Sequence, residues 1–418
     1  MKNKTKFEPS RNDLPEKQPV RKFIYLIIAI HAVLALIYWH MVPFGGPPDE
    51  GPHGKYIGFL ADNTRFPVFD VTDRTNYEFH QPPLYYGLGV PFYLVGKLAR
   101  LPDPDSMARL LSILLGAISI YLIYLSMQMI FNDYRISLAC AGFAAFLPTH
   151  VMLSSSVSND ILTELIYSAM FLLFIIQIKE NLSWRNTVIT GILLGVGILT
   201  KTTCLILFPM YGILIFLLLI RKSTPLRFCV LHYLAASGIG LLIGGGWLVR
   251  NTLLYGDPFG LKLFQTAFEH TARPEFFLNQ GLSMIQYLEM VAMWTFASFW
   301  GVFGHMKVFM PNWIYISLAV ISIPFAVISI VSWMKMMRTD RDQRYIFALS
   351  MALLSAVLLS FIRFNMIFFQ AQGRYLYPAL IPIAILFCLG ISRRLSPIAI
   401  YGIMFVVQIV ALTAMKAM

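Results

Sequence analysis

Long apolar runs alternate with short polar segments along the whole chain. A run of about 18 apolar residues is long enough for a helix to cross the hydrocarbon core of a membrane. The pattern predicts an all-α polytopic membrane protein with about eleven transmembrane helices, in a range of roughly 10–13. The predicted spans cover residues 23–42, 107–131, 135–152, 161–178, 186–200, 203–220, 228–249, 313–334, 345–362, 375–391 and 396–415.

The segment 283–303 is apolar but does not fit this threading as a span. As a span it would move the basic segment 335–344 to the outer face, whereas lysines and arginines are enriched in cytoplasmic loops. We therefore predict an interfacial or partly inserted helix, with Trp294 and Trp300 at the level of the lipid headgroups.

The N-terminal residues 1–22 are polar, contain seven lysines and arginines, and are predicted to form a cytoplasmic tail. No small-residue cleavage site follows the first apolar run, so we expect residues 23–42 to remain as an anchor rather than to be removed as a signal. Residues 23–418 are expected to form a single transmembrane domain. Its largest outer loop, 43–106, is expected to carry the site and a short juxtamembrane helix over 83–99.

Composition supports a membrane protein and changes the meaning of the charge. The chain of 418 residues is 57% hydrophobic and 13% charged, whereas about a quarter of the residues of a soluble domain are charged. With the spans above, the whole formal net charge of +12 lies on the inner face, as the positive-inside rule requires, so no nucleic-acid partner is needed to explain it. The four cysteines lack zinc-ligand spacing and are expected to be buried and unpaired; they are Cys140, Cys204, Cys229 and Cys388.

Two adjacent carboxylates follow the first span, in the stretch PPDEGPHGKY. A carboxylate that is partly desolvated at a membrane edge has a raised proton affinity, which suits a general base. Asp49 and Glu50 are therefore the candidate catalytic pair, although the same oxygens could hold a divalent metal ion. The alternative without a catalytic role is that the acids begin a helix. His53 lies four residues after Asp49, on the same face of such a helix.

Three single cations lie at predicted outer ends of spans, namely Lys201, Arg250 and Arg374. Arginine suits bidentate contact with a phosphate and lysine supplies a point charge. Together they are candidates for holding the phosphate of a lipid whose tail stays in the bilayer, and snorkelling of isolated side chains is the alternative. His305 and Lys307 are weaker candidates for the same site.

Other polar residues at the outer ends complete the candidate substrate-binding set. Because these segments are far apart in sequence but share one membrane face, we expect them to converge on one outward-facing site; simple anchoring of helix ends at the interface is the alternative. Asp160 could instead cap the helix that begins there, and Glu164, one turn deeper, is expected to face a polar cavity. The set comprises Tyr56, His80, Gln81, Asn159, Asp160 and Tyr375.

Taken in order, these motifs resemble the membrane-embedded C-type glycosyltransferases, in the branch of protein O-mannosyltransferases and lipid A aminoarabinose transferases. The similarity covers about residues 23–391. The matching stretches are the pair Asp49-Glu50, HQPPLYY in the first outer loop, SND at the start of a later helix, a lysine between two mid-chain helices, RNTLLYGDPFG and RYLYP.

The resemblance implies a helical membrane core and a first outer loop whose juxtamembrane helices cover a cavity. It implies a hexosyl- or pentosyltransferase that moves a sugar, with inversion, from a polyprenyl-phosphate donor to a hydroxyl of a glycan, lipid or protein acceptor. Asp49, which matches the family's first acid, would take the proton from the acceptor, and Glu50 would support it or position the substrate. A divalent metal ion is the one cofactor that the resemblance leaves open.

The expected location is the plasma membrane of a prokaryote, with the N-terminus cytoplasmic and the active site extracytoplasmic, as the threading and the positive-inside rule indicate. Two other functions fit an outward-facing site. A transporter or flippase of lipid-linked sugars would place ionisable groups near the middle of the bilayer, and a non-catalytic subunit of a glycan-assembly machine would need no reactive group. The sequence contains no P-loop, dinucleotide-binding or zinc-protease motif.

Overall fold

The structure, a computed structural model, describes residues 18–63, 65–392 and 397–416, so residues 1–17 of the predicted cytoplasmic tail lie outside the described part. Helices dominate these ranges, which confirms the predicted all-α class. The helices are α1 (Gln18–Met41), α2 (Glu50–Asn63), α3 (Leu84–Leu98), α4 (Arg109–Phe131), α5 (Tyr134–Ala145), α6 (Pro148–Ser154), α7 (Asn159–Glu180), α8 (Trp184–Ile198), α9 (Leu207–Ile220), α10 (Leu226–Tyr255), α11 (Leu261–Ala267), α12 (Pro274–Leu278), α13 (Met284–Gly301), α14 (Asn312–Thr339), α15 (Arg341–Asn365), α16 (Leu380–Ser392) and α17 (Ile398–Met415).

Short elements fill part of the space between these helices. Turns of 3-10 helix cover Arg74–His80, Pro104–Ala108, Thr202–Ile206 and Gly373–Ala379. Two short strands, β1 (Val302–Phe303) and β2 (Val308–Phe309), pair antiparallel to form a hairpin.

Nine helical segments of the described residues are long and apolar enough to cross a membrane, and the bent pair α5–α6 raises the number to ten. All eleven predicted spans coincide with helices. The structure has fewer candidate spans than predicted because one of these helices is broken and another is short. The predicted span 135–152 is broken into α5 and α6, which meet at 66°, because Pro148 cannot continue the preceding helix. The predicted span 186–200 is α8, whose 15 residues measure only about 22 Å.

A close contact with α10 holds the short helix α8 along its length. A Cβ atom added to Gly244 would lie 2.6 Å from Cβ of Ile198 and 2.8 Å from the carbonyl oxygen of Gly195. Neither a methyl group nor a larger side chain fits there, so the two backbones approach as closely as small residues allow.

Three spans form the centre of the molecule. Of the apolar windows of Pro104–Phe131, Asn159–Glu180 and Gly373–Ser392, 61%, 78% and 72% respectively are buried inside the protein. The windows of Leu226–Tyr255 and Asn312–Thr339 are each 22% buried, so most of their apolar surface faces outward. The four cysteines are buried and unpaired, as predicted.

The first outer loop folds against the ends of these central spans. It contains α2, two turns of 3-10 helix and α3, which confirms the predicted short helix over 83–99. The backbone N–H of Leu84 donates to the carbonyl of Leu199 at 2.9 Å, so the first residue of α3 is tied to the end of α8. Tyr85 and Tyr86, the next two residues of α3, are fully buried.

The apolar segment 283–303, which was not predicted to be a span, forms α13. This helix starts with a capping box between Ser283 and Gln286. Its 18 residues are long enough for a span, but it is not among the described helices that are also apolar enough to be one. Trp294 packs against aromatic rings of the protein, and Trp300 is 2% exposed and packs against the rings of Phe143 and Phe387. The prediction of a headgroup-level position for Trp300 was therefore wrong, because this indole fills the protein core.

Candidate active site

Four charged side chains from four distant segments form one continuous chain of ion pairs. The Nη2 atom of Arg374 donates to Oδ2 of Asp49, and Nη1 of the same guanidinium lies 3.3 Å from Oδ2 of Asp160. Lys201 donates through Nζ to Oδ1 of Asp160. The formal charges of Asp49, Arg374, Asp160 and Lys201 add to zero. These residues, all chosen from the sequence, are thus brought together in a cluster that is neutral overall.

Asp160 and Arg374 come together because each of them lies at the start of a central span. Asp160 lies in the first turn of α7, and Arg374 lies in the turn of 3-10 helix that leads into α16. Asp160 is not the cap of α7, because the Oγ atom of Ser158 accepts a hydrogen bond from the Asp160 N–H and takes that place. The carboxylate of Asp160 is therefore directed to Lys201 and Arg374.

Of the four ion-paired residues, Asp49 is the one that faces open space. Its side chain is 30% exposed, and it lines a cavity of about 270 Å³ together with Tyr77 and His305. Its backbone has a φ of 66°, a left-handed conformation that costs a non-glycine residue roughly 1 kcal/mol. Its Oδ1 atom accepts a hydrogen bond of 2.6 Å from the Tyr77 hydroxyl. Burial favours protonation of Asp49, but the charge of Arg374 and the Tyr77 hydroxyl outweigh it and hold the pKa of this carboxyl well below its usual range.

Glu50, the other half of the acidic pair, lies in a different environment. It is fully buried and forms a two-pronged ion pair with Arg109, with distances of 2.7 Å from Nε to Oε1 and 2.6 Å from Nη2 to Oε2. The backbone N–H groups of Gly45 and Val157 donate to the same two oxygens at 2.8 and 2.9 Å. Each oxygen of Glu50 therefore accepts two hydrogen bonds, and none of its surface remains for a substrate.

Arg109 explains why Glu50 is buried as an ion. Its remaining N–H groups donate to carbonyl oxygens in the last turn of α1 and just beyond its C-terminal end, which have no partners within the helix; these are the carbonyls of Trp39, Val42 and Pro43. The pair of Arg109 and Glu50 thus joins the end of α1 to the starts of α2 and α4. Sequence reasoning missed Arg109, although a single arginine in the first turn of a predicted span was a usable signal.

A layer of neutral polar groups lies beside the charged chain. The Nδ1 atom of His53 lies 2.9 Å from the Tyr86 hydroxyl and 3.8 Å from Oε2 of Glu78, and the side-chain amide of Asn159 donates to Tyr86 at 3.4 Å. Burial lowers the pKa of His53 to about 3. Burial, and then the charge of Asp49, raise the pKa of Glu78 to about 8. At neutral pH His53 is therefore uncharged and Glu78 is mostly protonated. Glu78 is not among the candidate residues that the sequence indicated.

The other residues predicted in this loop pack beneath that layer. The ring of Tyr56 stacks on Tyr86 with 3.8 Å between centroids, and its hydroxyl donates to the carbonyl of Gln81 at 3.1 Å. The Nδ1 atom of His80 lies 2.6 Å from the carbonyl of Tyr77, and burial lowers the pKa of His80 to about 4. These contacts hold the loop in place, and the Oε1 atom of Gln81 has no partner among the described residues.

The remaining predicted residues divide between the cluster and its surroundings. The ring of Tyr375 lies 5.2 Å from the guanidinium carbon of Arg374 and 5.9 Å from Nζ of Lys201. Arg250 lies apart, because its guanidinium donates to the carbonyl of Pro67 and stacks 4.4 Å from the ring of Trp247. The sequence placed Arg250 at the correct end of a helix but could not show which way its side chain turns.

Glu164 and Lys307 lie outside the cluster. Glu164 is fully buried, and its Oε1 atom lies 3.0 Å from Nε2 of His150, so it faces a histidine rather than an open cavity. Lys307 is exposed on the hairpin that brings His305 to the cavity. Within residues 18–63, 65–392 and 397–416, no three histidine, cysteine or acidic residues are placed to hold a metal ion.

Comparisons with known proteins agree with this architecture. Residues 90–249 match the family model described as dolichyl-phosphate-mannose-protein mannosyltransferase. The chain is similar to the crystal structure of ArnT from Cupriavidus metallidurans bound to undecaprenyl phosphate, with 16% identity and a TM-score of 0.58 over 92% of this chain and 62% of that one. It is also similar to an oligosaccharyltransferase from Archaeoglobus fulgidus tethered with an acceptor peptide, with 15% identity and a TM-score of 0.56 over 95% of this chain and 55% of that one.

These similarities concern the fold and cover only part of the larger proteins. The chain spans about three-fifths of the length of ArnT and less of the oligosaccharyltransferase. No curated protein matches it in sequence. The resemblance to the membrane-embedded C-type glycosyltransferases that the motifs indicated is confirmed by the fold and by the family match.

Proposed function

We propose that this chain, which has the fold of the membrane-embedded C-type glycosyltransferases, transfers a sugar from a polyprenyl-phosphate donor to an acceptor hydroxyl. The observation that supports this most directly is the ion-pair chain, in which a carboxylate facing a cavity contacts Arg374 and is linked through Arg374 and Asp160 to Lys201. The family match is described by a dolichyl-phosphate-linked sugar, and one similar structure holds undecaprenyl phosphate. A lipid phosphate is therefore the expected donor for this fold.

Asp49 is the proposed general base, since of the two carboxylates in the ion-pair chain it is the one that lines the cavity. The acceptor oxygen attacks the anomeric carbon from the side opposite the phosphate, so a new carbon–oxygen bond forms as the bond to the phosphate oxygen breaks. The acceptor proton passes to the Asp49 carboxylate, and the polyprenyl phosphate leaves with the electron pair. Attack from the opposite side inverts the configuration of the sugar carbon.

Lys201 and Arg374 are the proposed partners of the donor phosphate. Both cations now contact Asp160, so an incoming phosphate has to compete with that carboxylate. When the phosphate binds Arg374, the guanidinium is shared between the phosphate and Asp49. Its interaction with Asp49 then weakens. The proton affinity of Asp49 then rises, which makes it a better base. Donor binding thus prepares the base, and we expect the donor to bind before the acceptor.

Glu50 and Arg109 are proposed to position the reacting residues rather than to contact the substrate. Their ion pair fixes the backbone on both sides of Asp49, since the Gly45 N–H donates to Glu50 and Arg109 donates to the carbonyl of Pro43. Arg250 is not included in the phosphate site, because its guanidinium is directed to Pro67 and Trp247. No step of the proposal is assigned to a metal ion.

The proposed setting is the plasma membrane of a prokaryote. The N-terminus is cytoplasmic, the cluster lies on the extracytoplasmic side, and the donor reaches it within the membrane. The acceptor is a glycan, lipid or protein that offers a hydroxyl group, and no nucleic acid takes part.

The test is release of lipid phosphate by the purified protein from a panel of polyprenyl-phosphate sugars, with and without a metal chelator. Asp49→Asn should lower turnover by about 10²–10⁴, the usual contribution of a general base, while donor binding is retained. Asp70→Asn is the matched control, because Asp70 is an exposed acid of the same outer loop.

Two outcomes would contradict the proposal. The first is that no donor in the panel releases lipid phosphate. The second is that Asp49→Asn moves the donor across a vesicle membrane as fast as the wild type does, which would instead favour a transporter or flippase.

A further inference from the structure

The cavity beside Asp49 is lined by neither Asp160 nor Lys201. Four segments line it, namely residues 45–52, the turn of 3-10 helix that contains Tyr77, the loop of the β1–β2 hairpin and residues 370–372. Its volume is about 270 Å³. The cavity therefore has room for a small ring but not for a folded partner.

Among the described residues that line the cavity, Asp49 is the one carboxylate, and Arg374 pairs with it. The Nε atom of Arg374 donates to Oε1 of Gln372 at 2.8 Å, and Nε2 of Gln372 donates to Oε1 of Gln370 at 2.7 Å. The guanidinium thus orients a row of two amides along the wall. A wall that offers both donors and acceptors matches hydroxyl groups, because each hydroxyl can also donate and accept.

The same walls do not suit an anion. Among the described residues, neither lysine nor arginine lines the cavity, and an anion held there would lose its hydration without gaining a cation. Pro48, Pro52 and Met306 also line it. They give it apolar surface that can contact the C–H groups of a sugar ring.

The hairpin presents His305 and Met306 to this cavity in a strained conformation. Three consecutive residues, Gly304, His305 and Met306, have φ values of 55°, 52° and 66°. Left-handed conformations are unfavourable for residues other than glycine and recur at ligand sites. The Tyr315 hydroxyl donates to the carbonyl of Gly301 at 2.6 Å and so fixes the base of the hairpin. His305 makes no hydrogen bond to the described chain and is free to bind a ligand.

We infer that this cavity is the acceptor subsite and that it binds one neutral sugar ring of a glycan. The ring presents one hydroxyl to Asp49, and His305 hydrogen-bonds a neighbouring hydroxyl. This inference rests on the proposed transfer reaction, because it makes the cavity the source of the attacking oxygen. It narrows the acceptor from glycan, lipid or protein to an uncharged glycan.

Gly51 offers a way to fill the cavity without disturbing the fold. It lines the cavity within α2, and a Cβ atom added there meets no other atom within 4 Å. Gly51→Phe should therefore fold normally and occupy the space intended for the ring. Gly87→Phe is the matched control, because Gly87 is an equally open glycine of α3 that does not line the cavity.

The first experiment measures binding without turnover. Saturation-transfer NMR on the purified full chain, with methyl glucoside and methyl mannoside as probes, should show contact in the wild type and in Gly87→Phe but not in Gly51→Phe. Methyl glucuronide and glucose 6-phosphate should show weaker contact or none. Equal or stronger contact from these anions, or contact that persists in Gly51→Phe, would overturn the inference.

The second experiment measures transfer, with the donor that releases lipid phosphate. Gly51→Phe should keep the wild-type dissociation constant for the donor to within about twofold, while release stimulated by neutral oligosaccharides falls at least about tenfold. Unchanged stimulation in Gly51→Phe, or stimulation by a hydroxyl-bearing peptide but by no neutral sugar, would refute an acceptor role. If the wild type releases no lipid phosphate from any donor, the proposed transfer reaction fails, and the NMR result still decides whether the cavity binds sugars.

The hairpin histidine is tested separately. His305→Ala should raise the KM for the stimulating sugar by about tenfold with a smaller change in kcat. His305→Asn should come closer to the wild type, because asparagine tolerates the left-handed conformation and still donates a hydrogen bond. Equal KM values for wild type and His305→Ala would remove His305 from the subsite.

Discussion

At the scale of single residues, the structure separates two acids that the sequence presents as a pair. Asp49 faces the cavity, while Glu50 is buried with all its acceptor positions occupied. The sequence identified both as important but could not tell them apart, because the partner that buries Glu50, Arg109, lies 59 residues away. Likewise the sequence did not indicate Glu78, since its raised pKa depends on burial and on Asp49.

The competition between Asp160 and the donor phosphate predicts opposite effects of two substitutions. Asp160→Asn removes the competing carboxylate from Lys201 and should strengthen donor binding. Lys201→Met should weaken it by about 1.5–3 kcal/mol, the usual value of a hydrogen bond to a charged group. Calorimetric titration of each variant with a polyprenyl-phosphate sugar measures both. Weaker binding by Asp160→Asn would show that this carboxylate contacts the donor instead of competing with it.

The raised pKa of Glu78 predicts how stability depends on pH. Its pKa is about 8 in the folded protein and 4.5 as the ordinary value, so the folded state binds more protons and stability falls as pH rises towards 8. His53, with a lowered folded pKa, affects stability only below about pH 6.5. Between pH 6.5 and 8 the wild type should therefore lose up to about 1.4 kcal/mol per pH unit.

Glu78→Gln should remove that slope, since the amide does not titrate. Thermal unfolding of both proteins across the same pH range measures it, and Asp70→Asn serves as the control for an acid lost elsewhere in the loop. A slope that persists in Glu78→Gln would mean that another group binds the proton.

At the scale of elements, hydropathy located the helices well and their breaks poorly. All predicted spans lie on helices because an apolar run has few other structures available in a membrane. The break between α5 and α6 depends on Pro148, and the short length of α8 is compensated by its packing on α10. Such packing joins residues about 50 positions apart. Its only signal in the sequence is a set of scattered glycines. Trp300 shows the same limit, since its partners come from α5 and α16.

The contact between α8 and α10 predicts a position-specific effect of glycine substitution. Gly244→Leu should destabilise the protein by about 1–3 kcal/mol, the usual cost of overpacking, because a side chain there meets Ile198 and the Gly195 backbone. Gly246→Leu should be nearly neutral, since the same helix leaves open space around Gly246. Unfolding temperatures in a fixed detergent compare the two, and equal changes in the two variants would show that the close contact at Gly244 does not decide the effect.

At the scale of the whole molecule, the site is built on the spans that are most buried. Arg109, Asp160 and Arg374 all lie at the same end of the three central spans. The sequence predicted this convergence from the shared membrane face of the polar segments. It could not predict the order of the ion pairs, because a helix end fixes the depth of a side chain but not its direction.

The threading predicts which loops a membrane-impermeant reagent can reach. The four native cysteines are buried, so they should contribute little background labelling. A maleimide reagent should label Asp70→Cys in intact cells, and should label Thr339→Cys only after the membrane is permeabilised. The reverse pattern would place the cluster on the cytoplasmic side and contradict the proposed location.

The cancellation of charge within the chain from Asp49 to Lys201 has a consequence for how a donor arrives. A site without net charge exerts little field beyond a few ångströms, so it cannot draw anionic lipids from a distance. Capture then depends on collisions in the plane of the bilayer, and its rate should hardly change with ionic strength. Recognition begins only when a headgroup touches the cations and displaces the carboxylate that occupies them.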